Sequence, residues 1–339
     1  MMITPALLKE ISLLSTLQDA ELASISSCFT EESIAPGETL YVEGEPATSA
    51  CFLISGELEA LKALPGGDVA QIAVIKPGSM IGEMALVADG TRTATVRAIT
   101  QATVVTVLRD FFHAALDQIS VPAFKILRSV IHNVAVRLDE HQERILKQWD
   151  CDACIPPVDG IDADADARIT AESVDHSSSF DFRHFLPVVP LFASFTESET
   201  DQLVANAKVV ELSRGEYLYR EAAPARSCYV IVRGAIETSV SRDRRYQLSI
   251  LGPGRICGAN SLITERRRCC DARARSAALL LAFDQSTFHE LYSGVTAECL
   301  KFQRVISQNQ LQDRKIADNL LSTLVSQEYV SDGIRFHGL

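Results

Sequence analysis

Nowhere in the chain of 339 residues does an apolar run approach the roughly 18 residues a membrane span needs. Met1 to Ala20 likewise lacks the charged start, long apolar block and small-residue exit of a signal peptide. These absences predict a cytoplasmic protein. A basic excess is also missing: 32 Lys and Arg stand against 44 Asp and Glu, a net charge of −12. The long-range field therefore repels polyanions, which argues against general nucleic-acid binding. Small anionic ligands are not excluded, because local charge decides a pocket. A disulfide framework is absent too, since nine scattered cysteines are an odd number in a chain too long for such a scaffold. Reduced cysteines, several buried as small hydrophobes, are expected.

Metal and catalytic constellations are equally scarce. Cys151 and Cys154 have knuckle spacing, but no second Cys or His pair follows at the needed distance. Asp162, Asp164 and Asp166 hint at a calcium loop that lacks its glycine and closing glutamate. No nucleophile and base stand at motif spacing. The expectation is a protein that is not an enzyme and holds no metal.

What is present is an internal repeat. Leu13-Leu14-Ser15-Thr16-Leu17 matches Leu191-Phe192-Ala193-Ser194-Phe195, and each leads into an acidic helix start. Gly37-Glu38-Thr39-Leu40-Tyr41 matches Gly215-Glu216-Tyr217-Leu218-Tyr219, and Gly56 matches Gly234. Further on, Pro77-Gly78 and Gly82 match Pro253-Gly254 and Gly258. Five ordered landmarks at a nearly constant offset are not chance. Within each copy, short β-branched and apolar runs punctuated by Gly and Pro predict a small antiparallel barrel or sandwich. Two domains also suit the length and the 47% hydrophobic content.

Each copy closes with a helix. In the first, Pro122 suits a first helical turn, and Leu127, Ile131, Val134, Leu138, His141 and Ile145 follow at heptad spacing. That seam can pack on its own barrel or pair with another helix. The second copy places Phe302, Ile306, Ile316 and Leu320 in phase, with Asn309 and Asp313 interrupting them. Its seam is therefore weaker. Between the copies, Asp150 to Asp181 is rich in aspartate and poor in large apolar residues, a solvated tether. The expected division is 8–149, a linker 150–182, a second domain 183–325 and a tail 326–339.

The stretch Gly82-Glu83-Met84-Ala85-Leu86, followed through Asp89-Gly90 by Arg92-Thr93-Ala94-Thr95, carries the chemistry. It reads as a short helical start after a glycine, a turn, and a strand beginning near Arg92. Unpaired backbone N–H groups suit a phosphate, and an arginine adds a planar charged fork. Glu83 can accept from a sugar hydroxyl, and small Ala85 and Ala94 allow close backbone approach. For Glu83 and Arg92 the bland alternative is a surface ion pair beside a turn.

Gly-Glu-x-Ala-Leu followed by Arg-x-Ala-Thr resembles the phosphate-binding cassette of cyclic-nucleotide-binding domains. That family includes the bacterial cyclic-AMP receptor protein and the regulatory subunits of cyclic-nucleotide-dependent kinases. The resemblance implies a mainly β fold with helices: two double-stranded β-helix jelly-roll domains in tandem, each closed by a C-terminal helix. It implies that Glu83 binds the ribose 2′-hydroxyl, Arg92 the cyclic phosphate, and the Ala85 and Leu86 amides the phosphate oxygens. Thr93, whose hydroxyl permits cyclic GMP as well as cyclic AMP, leaves the base open. Arg137 and His141 on the closing helix are the polar candidates to cap it. In the second copy, Gly258-Ala259-Asn260-Ser261-Leu262 lacks the glutamate, and Cys269, Cys270 and Asp271 follow Arg268. Asn260, Ser261, Arg268 and Cys269 thus define a degenerate second site. Its vicinal cysteines are read as plain strand residues or, beside arginines, as redox-active.

Transcription factors of the family carry a helix-turn-helix after the long helix, and about 15 residues after Leu324 are too few for one. The expected function is a regulatory protein that senses cyclic AMP or cyclic GMP and signals to a separate effector protein. The alternative is a ligand-free scaffold that assembles oligomers. Either a homodimer or an intramolecular pseudo-dimer of the two closing helices is compatible with the pattern.

Overall fold

In a computed structural model the described residues are 5–11, 14–15, 17–63, 69–87, 90–149, 186–187, 189–241 and 245–336. The expected linker, with Cys151, Cys154 and the Asp162-Asp164-Asp166 run, lies outside them, as does Asp89. The chain divides into two compact units, Met1–Ile131 with Ser326–Leu339, and His132–Val325.

The first unit opens with helices α1 (Pro5–Glu10) and α2 (Asp19–Ile25). Eight strands follow: β1 (Phe29–Ile34), β2 (Thr39–Tyr41), β3 (Ser49–Ser55), β4 (Leu58–Ala63), β5 (Val69–Ile75), β6 (Met80–Ile81), β7 (Thr95–Ala98) and β8 (Ala102–Leu108). They form two antiparallel four-stranded sheets, ordered β1-β8-β3-β6 and β2-β7-β4-β5. Alternation turns Ile34, Tyr41, Cys51, Leu53, Leu58, Ile81, Val96, Ala98, Ala102 and Val104 into one apolar core between the sheets. Gly56, which with Glu57 joins β3 to β4, has φ +84°, and a Cβ there would lie 2.3 Å from the Gln101 carbonyl oxygen. Only glycine fits that corner. Helices α3 (Arg109–Asp117) and α4 (Val121–Trp149) close the unit, and Lys125 of α4 ties to Glu21 of α2 at 2.6 Å.

The second unit repeats the plan. A 3-10 turn (Pro190–Ser194) precedes α5 (Glu197–Ala205), whose first turn is closed by Thr196 and Glu199 bonding reciprocally. The strands are β9 (Lys208–Leu212), β10 (Tyr217–Tyr219), β11 (Ser227–Arg233), β12 (Ile236–Ser241), β13 (Arg245–Leu251), β14 (Ile256–Cys257), β15 (Asp271–Ala274) and β16 (Ala278–Asp284). A short helix α6 (Ala259–Ile263) stands between β14 and β15, and α7 (Gln285–Ser293) and α8 (Ala297–Phe336) follow β16. The sheet orders, β14-β11-β16-β9 and β10-β15-β12-β13, are those of the first unit strand for strand. Gly234 repeats Gly56, with φ +86° and a virtual Cβ 2.4 Å from the Ala277 oxygen. Each unit is a jelly roll closed by helices, the mainly β tandem architecture that the repeat predicts.

Two local expectations change. The strand after the first cassette begins at Thr95, not near Arg92. Arg92 instead lies in a loop pinned at both ends, its N–H donating to Glu45 and its carbonyl accepting from Gly44. Cys269 and Cys270 sit in the bend before β15 rather than on a strand.

The seam of α4 is buried at Leu127, Ile131, Val134, Leu138 and Ile145. From His132 onward the helix counts with the second unit. There His141 Nδ1 meets Asp318 Oδ1 of α8 at 2.6 Å. Burial pushes the Asp318 carboxyl up, but bonding to His141 and Arg314 more than offsets this and holds it below the usual range.

Candidate functional site

In the first unit the residues Gly82 to Leu86 form a turn that begins in the left-handed region, with Gly82 at φ 71°, and continues as a 3-10 helix from Glu83 to Leu86. Gly82 is required twice over. Its positive φ disfavours other residues, and a Cβ would come within 2.4 Å of Arg92 Nη1. Packing the guanidinium against this glycine places Arg92 beside the turn. Arg92 is 8% exposed. Its Nη1 donates to the Ser49 carbonyl at 2.8 Å and its Nη2 to Ser49 Oγ at 3.0 Å. Below it the Tyr41 ring lies 3.4 Å from the guanidinium carbon, and the Tyr41 hydroxyl is 3.3 Å from Ser49 Oγ.

This is a buried cation held by neutral groups. Two of the five guanidinium N–H groups bond to Ser49, and no acid pairs with Arg92 among the described residues. Desolvating a charge costs several kcal/mol, on the order expected for buried ions. An anion entering the site would offset that cost. Glu83 is 5% exposed, Ala85 and Leu86 are buried, and Met84 is half-buried. Ala85 donates its amide to the Gly82 carbonyl at 3.0 Å, so that amide already serves the turn. Thr93 is exposed and Ala94 half-buried, and Lys62 Nζ holds the Thr93 carbonyl at 2.8 Å. His113 of α3 places Nε2 3.0 Å from the Leu86 carbonyl, linking the end of the turn to the helix. Burial pushes the Tyr41 hydroxyl well up and the Cys51 thiol up to about 12, so both are neutral at ordinary pH.

Glu83, Ala85, Leu86 and Arg92 are thus brought to one turn and its facing loop. Arg137 and His141 lie on the part of α4 that counts with the second unit. Tyr41 and Ser49, which seat the arginine, were missed from the sequence. The signal was there: Tyr41 and Tyr219 stand at matching positions of the repeat, but a repeated tyrosine reads equally well as core.

The second unit rebuilds the seat without the acid. Gly258 has φ 82°, and its virtual Cβ would lie 2.4 Å from Arg268 Nη1. Arg268 is 2% exposed, and its Nη1 and Nη2 donate to the Gly258 and Ser227 carbonyls at 2.8 and 2.6 Å. The Tyr219 ring lies 4.1 Å from its guanidinium carbon. Ala259 occupies the Glu83 position and is buried. A cavity of about 80 Å³ lies inside this unit, lined by Leu138, Gln142, Asn260, Ser261, Cys269 and Asp313, among others. Helices α4 and α8 supply one wall and the cassette another. The Cys269 side chain bonds to the Cys270 thiol, which together with burial pushes Cys270 well up, and burial pushes Cys257 up to about 12. Thiols held protonated are poor nucleophiles, so the arginine-activated redox reading loses its basis at Cys270.

The interruption of the second seam also has a structure. Buried Asn309 accepts from the Ile256 amide and donates to the Ile256 carbonyl, at 3.0 and 3.1 Å. Arg255 donates to Asn309 Oδ1 at 3.0 Å and pairs with Asp313. The two polar residues fasten α8 to β14.

Family comparison agrees with this geometry. The cyclic nucleotide-binding domain model matches residues 31–119 and 209–294, together more than half of the chain. The chain therefore belongs to the cyclic nucleotide-binding domain family, in two tandem copies. A cAMP-dependent protein kinase regulatory subunit of Yarrowia lipolytica is 34% identical over 112 residues, 33% of this chain and 29% of that protein. Mouse cGMP-dependent protein kinase 2 is 21% identical over 293 residues, 85% of this chain and 30% of that protein. The chain spans under a third of the length of these curated relatives. Among solved structures, the regulatory domain of Toxoplasma gondii PKA with cAMP shares 17% identity. That match covers 86% of this chain and 92% of the other at a TM-score of 0.31, an overlap too low to argue from. Among the described residues, no helix is long and apolar enough to cross a membrane.

Proposed function

We propose that this chain is a non-catalytic regulatory protein that senses a cyclic nucleotide through its first unit and passes the signal to a separate protein. The single observation that carries the reading is Arg92: a buried guanidinium seated on Tyr41, Gly82 and Ser49 beside the Glu83–Leu86 turn. The ligand's phosphate lies against Arg92 and the Glu83–Leu86 turn, and Glu83 accepts from the ribose hydroxyl. Thr93, exposed beside the arginine loop, tolerates either purine, so both cyclic AMP and cyclic GMP are ligands to test. The bond from His113 to Leu86 carries movement of the turn into α3. A ligand drives such a change only by binding one helix position more tightly than the other. The names of the kinase-regulating relatives make a protein kinase the partner class to try first. The second cassette, lacking the glutamate, takes no part in nucleotide binding.

Calorimetric titration of the full chain with each nucleotide tests this. Arg92→Ala removes charge-assisted phosphate bonds of about 1.5–3 kcal/mol or more, so affinity should fall at least about tenfold. Binding of neither nucleotide to the wild type, or equal binding by the Arg92→Ala variant, would refute the reading.

A further inference from the structure

The second cassette holds an amide where the first holds an apolar side chain: Asn260 stands at the position of Met84. The amide is in use. Asn260 Nδ2 donates to Asp139 Oδ1 of α4, and Arg266, just beyond the cassette helix, reaches Asp139 Oδ2 at 3.7 Å and Glu143 at 3.5 Å. His132 Nδ1 meets the Ile263 carbonyl at 3.2 Å. Leu138, Gln142 and Ile145, on the same part of α4, line the cavity with Gly258, Asn260 and Ser261. All of these residues lie within the second unit.

Asp139 is buried, at 7% exposure. A carboxylate in that position is tolerated only if it is hydrogen-bonded, and Asn260, with Thr264 at the end of the same cassette helix, supplies the bonds. Arg268 is turned inward to the Gly258 and Ser227 carbonyls, and Ala259 offers nothing to a sugar. What this cassette still offers outward is the Asn260 amide with Arg266 beside it. We propose that the second cassette is a receptor for the carboxylate-bearing face of α4, taking Asp139 of its own chain as its ligand in place of a nucleotide. Degeneration at Ala259 and the gain of Asn260 are then one change of ligand class, from a cyclic phosphate to a helix-borne carboxylate. The contact latches the distal half of α4 over the cavity. It stands whether or not the first cassette binds a nucleotide.

Amide hydrogen exchange on the full chain tests the latch. Asn260→Asp sets two carboxyls against each other, and Asp139→Ala removes the acceptor without adding charge. Each should speed exchange in residues 132–149 by about tenfold or more, the size expected for losing a bond to a charged group. Strand β11 (Ser227–Arg233) should keep its protection and so report an intact barrel. The swapped pair Asn260→Asp with Asp139→Asn restores a donor facing an acceptor, and exchange should return to within about threefold of the wild type, short of the roughly tenfold that a bond of this kind is worth. The proposal is overturned if Asp139→Ala leaves 132–149 as protected as before, or if the swap stays as open as Asn260→Asp alone while β11 is intact.

Discussion

At the residue scale, two buried acids in the second unit, Asp313 and Asp139, are held above the usual carboxylate range. Burial raises Asp313 to about 7 despite its bonds to Arg255 and Asn309, and raises Asp139 to about 6 despite those to Thr264, Arg266 and Asn260. Both folded values exceed the ordinary value of 3.8. The folded unit therefore binds these protons more tightly than the unfolded chain, and the stability they confer is lost as pH rises through the folded values. Replacing Asp313 by Asn keeps a neutral hydrogen-bonding group in the same place. The urea midpoint of Asp313→Asn should accordingly gain on the wild type between about pH 5.5 and about pH 8. A constant difference across that range would show that burial does not govern this carboxyl.

Residue chemistry was legible where it depends on charge and on glycine. Arg92, Glu83 and Gly82 could be picked out because a phosphate needs a cation and a close-packed turn needs a residue without a Cβ. Tyr41 and Ser49 could not, since a tyrosine on a short strand and a serine at a strand start have many uses. Their task exists only after folding brings β2, β3 and the Arg92 loop together. Cys269 and Cys270 were read as strand residues, yet they sit in the bend that precedes β15.

At the scale of elements, the short antiparallel strands follow from alternation and from glycine corners, and the repeat made each copy a check on the other, while the sheet order came only with the structure. Helices were harder. Heptad spacing found the buried face of α4 but not its partner, since the same spacing serves a barrel, a sister helix or a second chain. In α8 the polar residues Asn309 and Asp313 looked like a weakness in the seam. They are its fastening to β14. Asn309→Ala leaves the Ile256 N–H and C=O buried and unpaired, which costs about 1–3 kcal/mol per unsatisfied group. Chemical denaturation should show a loss of that order for the second unit, with faster amide exchange at β14. An unchanged stability would mean that apolar packing of Phe302 and Ile306 holds α8 by itself.

At the scale of the molecule, two jelly rolls of the same strand order differ in what they hold. Both seat an arginine on a tyrosine and beneath a left-handed glycine. One keeps a glutamate in the cassette turn; the other has an alanine there and an amide that engages a helix. The asymmetry in composition was visible in the sequence, but the occupant of the second cassette was not. Asp139 and Asn260 are 121 positions apart, and no local pattern joins them.

The most direct measurement is a count of nucleotides bound per chain, by native mass spectrometry at saturating cyclic AMP and cyclic GMP. The account predicts one per chain, retained by Arg268→Ala and lost in Arg92→Ala. Two per chain, or one that survives Arg92→Ala and vanishes in Arg268→Ala, would contradict it.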